Sequence, residues 1–64
     1  MANNNLQLPL FLTRKQVIAL TSLSRSTLYR LERDSLFPKS FKMSKRRVGY
    51  MRDEVLIWLT ERRG

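Results

Sequence analysis

Cysteine and histidine are both missing from this 64-residue chain. Without thiols there is neither a disulfide nor a thiolate metal site to stabilise a fold. Without imidazole the usual zinc ligand sets shrink to carboxylates, and nucleophile–histidine pairs are excluded. No catalytic set, metal site or cofactor is therefore expected, and the chain does not read as an enzyme. No apolar run is long enough to span a bilayer. The N-terminus lacks the basic start and long apolar stretch of a signal peptide. A cytoplasmic protein without a membrane partner is the expectation. So short a chain buries only about 60% of the surface its unfolded form exposes, which disfavours a deep pocket for a small-molecule substrate.

Acidic residues are scarce, five against thirteen Lys and Arg, and the formal net charge is +8. The imbalance is uneven along the chain. Residues 1–13 carry no charge, 14–35 carry five bases and two acids, and 36–52 carry six bases and no acid. The last stretch, 53–64, reverses the sign with three acids and two bases. A basic middle beside a slightly acidic tail gives a one-sided field that attracts a polyanion.

Taken in order, residues 1–9 read as a flexible polar lead-in with three consecutive Asn, and residues 10–64 as one domain. Leu8, Leu10, Phe11 and Leu12 are too apolar for water and are expected to cross the core as an extended lead-in or a short strand, with Pro9 opposing a helix. Thr13-x-x-Gln16 is a capping box that opens a first helix running to about Leu20, with Leu12 and Val17 as its hydrophobic staple. Val17, Ile18 and Thr21 form its inner face, while Lys15 and Ala19 point away. Thr21-Ser22-Leu23-Ser24 is the turn. It lacks glycine where a left-handed residue is expected, so Ser22 should carry a strain of about 1 kcal/mol. Phe41-Lys42-Met43 and Val48-Gly49-Tyr50 alternate as two strands, with Phe41, Met43, Val48 and Tyr50 facing inward. No Asn-Gly or Asp-Gly marks their turn. Asp53 to Arg62 is the closing helix, with acids at its positive end and Arg62 and Arg63 at the other. Val55, Trp58 and Leu59 make its apolar stripe, and Ile57 falls on the polar side, where a dimer contact is an alternative to simple exposure. Trp58 reads as the hub of the core, and its replacement by Ala should cost on the order of 3–5 kcal/mol. Phe37 is expected in the core as well.

The second helix, Arg25 to about Asp34, organises the rest. Ser24 caps it, and Leu23 and Leu28 staple it. Leu28 and Leu31 lie on one side, whereas Ser26, Tyr29, Arg30 and Arg33 follow helical spacing on the other. Two helices, a tight turn, a basic hairpin and a closing helix make a mainly α winged helix-turn-helix with a small β-hairpin wing. A major groove about 12 Å wide admits one helix, whose N-terminal residues meet base edges first. That nominates Arg25, Ser26, Tyr29 and Arg30 as recognition residues on double-stranded DNA. Either Arg can bind guanine through its fork. Tyr29 has two readings, contact with a thymine methyl or phosphate, and burial of its ring against the first helix. Arg33, Lys42, Lys45, Arg46 and Arg47 are candidates for phosphate contacts from the helix end and the wing. Asp53 and Glu54 have a helix-dipole rationale rather than a metal role.

Three strings then resemble the AlpA family of small prophage regulators: Leu12-Thr13-Arg14-Lys15-Gln16-Val17, Leu20 through Leu31, and Phe37-Pro38-Lys39. The tail Val48-Gly49-Tyr50, Asp53-Glu54-Val55 and Trp58-Leu59 continues the match. The resemblance implies a fold similar to MerR-type and excisionase-type winged helices, in a bacterial or phage-borne protein of a prophage or genomic island. It implies DNA binding, activation of integrase expression, or action as an excisionase that bends attachment-site DNA. Integrase and a second copy on DNA are the protein partners it suggests. By the same resemblance Arg25, Ser26, Tyr29 and Arg30 fall on the recognition helix and Lys45 to Arg47 on the wing. Ser22 stands where the family usually has Gly, and Tyr50 where it often has Trp. A third reading is a protein-interaction module docking on another regulator.

Overall fold

The computed structural model describes residues 9–63, and the Arg63 side chain lies outside that description. The expected lead-in over residues 1–8, the apolar role of Leu8 and the dipole role of Arg63 therefore fall outside the described residues. Six elements follow one another: β1 (Phe11–Thr13), α1 (Arg14–Thr21), α2 (Arg25–Arg33), β2 (Phe41–Ser44), β3 (Arg47–Met51) and α3 (Arg52–Arg63). The arrangement is a winged helix-turn-helix.

Local chemistry explains the helix starts. Thr13 Oγ1 accepts from the Gln16 N–H at 3.1 Å, and Gln16 Oε1 accepts from the Thr13 N–H at 2.8 Å. The capping box is thus complete, and both staple residues, Leu12 and Val17, are buried beneath it. α1 ends on Ser22 in the left-handed region (φ 62°), whose N–H donates to Ile18 O at 2.8 Å. Ser24 then caps α2 by accepting from the Thr27 N–H at 3.1 Å, with Leu28 buried and Leu23 packed at the core margin.

The sheet has three strands in the order β1-β3-β2, all antiparallel. The apolar lead-in therefore adds a strand to the hairpin, which meets the requirement that a two-stranded hairpin be supported. Its burial is narrower than expected, because alternation sends only Leu12 inward. Leu10 and Phe11 are exposed, with Phe11 edge-on to Phe41 at 5.3 Å between ring centroids.

The hairpin departs from the expected facing in a similar way. Leu12 pairs with Tyr50 and Lys42 with Val48, whereas Phe41 pairs with Gly49. Parity therefore sets Phe41 on the face opposite Tyr50, and it is exposed. A bulge between Lys42 and Ser44 inserts Met43 as an extra residue, and Met43 lies exposed over Gly49 rather than inward. Only Tyr50, and in part Val48, fill the inward role.

The core consists of Leu12, Val17, Leu28, Phe37, Tyr50 and Val55. Tyr50 is the largest fully buried side chain and occupies the centre assigned to Trp58. Trp58 is half-buried and closes one end. Its ring meets Phe37 at 4.7 Å, its Nε1–H donates to Leu36 O at 2.8 Å, and the Arg62 guanidinium stands 4.8 Å from it. The reason is amphipathic: an indole on a short surface helix needs a partner for its N–H, and the rim supplies one. Ile57 is exposed, as its helical phase requires.

Candidate nucleic-acid interface

The outward face of α2 follows from the burial of Leu28 on the opposite side. Arg25, Ser26, Tyr29, Arg30 and Arg33 are all exposed. Tyr29 retains 68% of its accessible surface, so of its two readings the burial against α1 is overturned. One turn of helix separates Leu28 from the next inward position, Leu31, and every outward residue between them is polar or aromatic. Arg33 differs from the others. Its Nε donates to Asp34 Oδ1 at 3.1 Å, and that exposed contact holds its guanidinium above the ordinary range.

Of the shallow grooves that border this helix, two lie at its N-terminal end. One, of about 380 Å³, is lined by Arg14, Arg25, Ser26, Leu28 and Tyr29. The second, of about 280 Å³, is edged by Arg14, Lys15, Arg25, Arg46 and Arg47. The start of α1, the start of α2 and the base of the wing thus converge on one strip of surface. Five cations so close together repel one another, a cost that a bound polyanion offsets. Of the residues nominated from the sequence, Arg25, Ser26, Tyr29, Arg46 and Arg47 line these grooves. Arg30, Lys42 and Lys45 are exposed but do not border them, with Lys42 on the edge strand β2 and Lys45 at the hairpin tip.

Arg14 and Lys15 were not among the residues nominated from sequence. They nonetheless carried a signal. Both occupy the first turn of α1, where the helix dipole disfavours cations, and Arg25 holds the equivalent place in α2. Each helix therefore opens with a hydroxyl cap followed by Arg, against the local electrostatic preference. Departures from local preference concentrate at functional sites.

Arg14 is also fixed from beneath. Its Nε donates to Tyr50 Oη at 3.2 Å, and Tyr50 Oη donates to Glu32 Oε2 at 2.6 Å. Glu32 Oε1 lies 3.8 Å from Arg14 Nη2. This chain ties α1, β3 and α2 together and gives the buried phenol both a donor and an acceptor. Burial, followed by the bond to Glu32, raises the Tyr50 phenol above its ordinary value against an opposing contribution from Arg14. The bond to Tyr50 is the leading cause that raises the Arg14 guanidinium.

A family model described as Prophage CP4-57 regulatory protein (AlpA) matches residues 10–63. The chain belongs to the AlpA family. Comparison with curated proteins and with solved structures yields no match. AlpA membership makes the chain a prophage regulatory protein and implies that it binds DNA. The AlpA family is not known for catalysis. Among the described residues, no helix is long and apolar enough to cross a membrane.

Proposed function

We propose that this AlpA-family chain is a sequence-specific transcriptional regulator of a prophage or genomic island that acts in the cytoplasm and controls integrase expression. Its DNA-binding domain spans residues 10–64, with residues 1–9 as a lead-in. α2 lies in the major groove, where Arg25, Ser26, Tyr29 and Arg30 meet base edges. Arg33, Lys42, Lys45, Arg46 and Arg47 contact phosphates, which set register without reading sequence. The observation that supports this reading best is the meeting of an outward α2 face with a cationic groove shared by the wing. A groove helix flanked by phosphate-binding cations is the minimum equipment for sequence reading on a duplex.

Footprinting on the DNA beside its own gene, with the wild type and Arg30→Ala, tests it. The wild type should protect a discrete site. Arg30→Ala should weaken that site by about 1–3 kcal/mol and relax one base position. Equal weakening on random and cognate DNA would show that Arg30 reads no base. An integrase promoter fusion and a circular-permutation bending assay separate the regulator from an excisionase acting mainly by bending attachment-site DNA. A protein-interaction module would instead keep its function in Arg30→Ala and lose it in Ile57→Asp.

A further inference from the structure

We infer that Arg14 is a phosphate ligand in its own right, held ready by Tyr50 and Glu32, and that it belongs to the DNA interface with Arg25, Arg46 and Arg47. The inference rests on the DNA-binding reading above and adds a residue and a positioning device to it. Arg14 lines both grooves, the one beside Tyr29 and the one beneath the wing, a position it shares with Arg25 alone.

Its geometry divides the guanidinium into two working edges. The Nε edge faces inward and donates to the buried Tyr50 hydroxyl. The side chain keeps 36% of its surface exposed. The Glu32 carboxylate is beyond hydrogen-bond distance at 3.8 Å and accepts its short bond from Tyr50 instead. Nη2 keeps a loose ion pair with Glu32 at 3.8 Å but no hydrogen bond, so the Nη N–H groups can still serve the planar, bidentate geometry that phosphate oxygens favour. A long side chain ordinarily loses rotamer freedom when it meets a ligand. Here the Tyr50 bond has ordered it during folding, so binding forfeits less. Tyr50 and Glu32 are positioning residues in this scheme, because neither lines the two grooves that Arg14 joins, Glu32 bordering instead a separate groove with Tyr29 and Arg33. Tyr50 is fully buried.

The test is a salt titration of duplex binding by the full chain, with folding of each variant checked by its melting curve. Arg14→Ala should weaken cognate and random duplexes alike and flatten the log K against log salt slope by about 0.9, the value for one phosphate contact. Arg14→Lys should restore the slope while leaving affinity severalfold short, since a point charge cannot use the fork. Tyr50→Phe keeps the cation and should lower affinity severalfold with the slope unchanged. The same change in the Arg14→Lys background should add little, because the held geometry is already gone. A folded Arg14→Ala with the wild-type slope, in a series where Arg46→Ala flattens it, overturns the role of Arg14 alone. Equal effects of Tyr50→Phe in both backgrounds overturn the positioning role. A wild-type chain that binds no duplex overturns the DNA reading itself.

Discussion

Two residues show how single positions are set by surroundings. Ser22 adopts φ 62° because the turn must reverse the chain between α1 and α2 while its N–H stays bonded to Ile18 O. A Cβ is disfavoured there, and glycine relieves the strain at some cost in unfolded-state entropy. Ser22→Gly should therefore raise stability by about 0.5–1 kcal/mol, read as a higher urea midpoint with an unchanged m value. Tyr50 makes an alkaline prediction. Its folded-state pKa lies above the ordinary phenol value, so ionisation is harder in the folded chain than in the unfolded one. The associated stability is intact below about pH 10 and declines as pH rises past that point toward the folded value. Melting temperatures across this alkaline range should fall more steeply for the wild type than for Tyr50→Phe. Parallel profiles would show that the phenol contributes nothing to the alkaline loss.

The elements were readable from sequence to different degrees. α1 and α2 were plain, because hydroxyl caps, hydrophobic staples and helical spacing are all local signals. β2 was less so. Phe41 and Met43 have strand-like alternation, yet the pairing of Phe41 with Gly49 and the bulge at Met43 leave both outside the core. Alternation gives two faces but does not say which is inner, and a one-residue shift exchanges them. Lys42 and the bulge also blunt β2 as an exposed edge. α3 repeats the lesson in a milder form. Its apolar phase was correct, but the depth of Trp58 was not, since depth depends on what stands over the helix. A half-buried indole should cost less on removal than a fully buried one. Trp58→Ala is expected near the lower end of about 3–5 kcal/mol, measured by denaturant unfolding. A loss well beyond that range would return Trp58 to the centre of the core.

At the level of the whole molecule, charge dominates. The formal net charge is +8, and five of the thirteen basic side chains border a single groove. If about six phosphates are neutralised, log K should fall with log salt at a slope near −5. A slope near zero in a titration from low to physiological salt would remove the electrostatic basis of the interface. The outward face of α2 was accessible from sequence because it is a matter of helical phase on one capped segment. The placing of Arg14 and Lys15 in the same groove was not. They lie eleven residues or so before their partner Arg25 and some thirty before the wing, and only folding brings the three together.

The amino-acid order by itself determined the helix starts, the left-handed Ser22, the outward face of α2 and the basic hairpin, because each depends on residues within about one or two turns. Tertiary structure alone decided the pairing of the lead-in strand with β3, the central burial of Tyr50 in place of Trp58, and the Arg14–Tyr50–Glu32 chain. Those features join residues up to 40 positions apart, as Phe11 and Met51 are. Strand register and packing select such pairings, and no local periodicity encodes them.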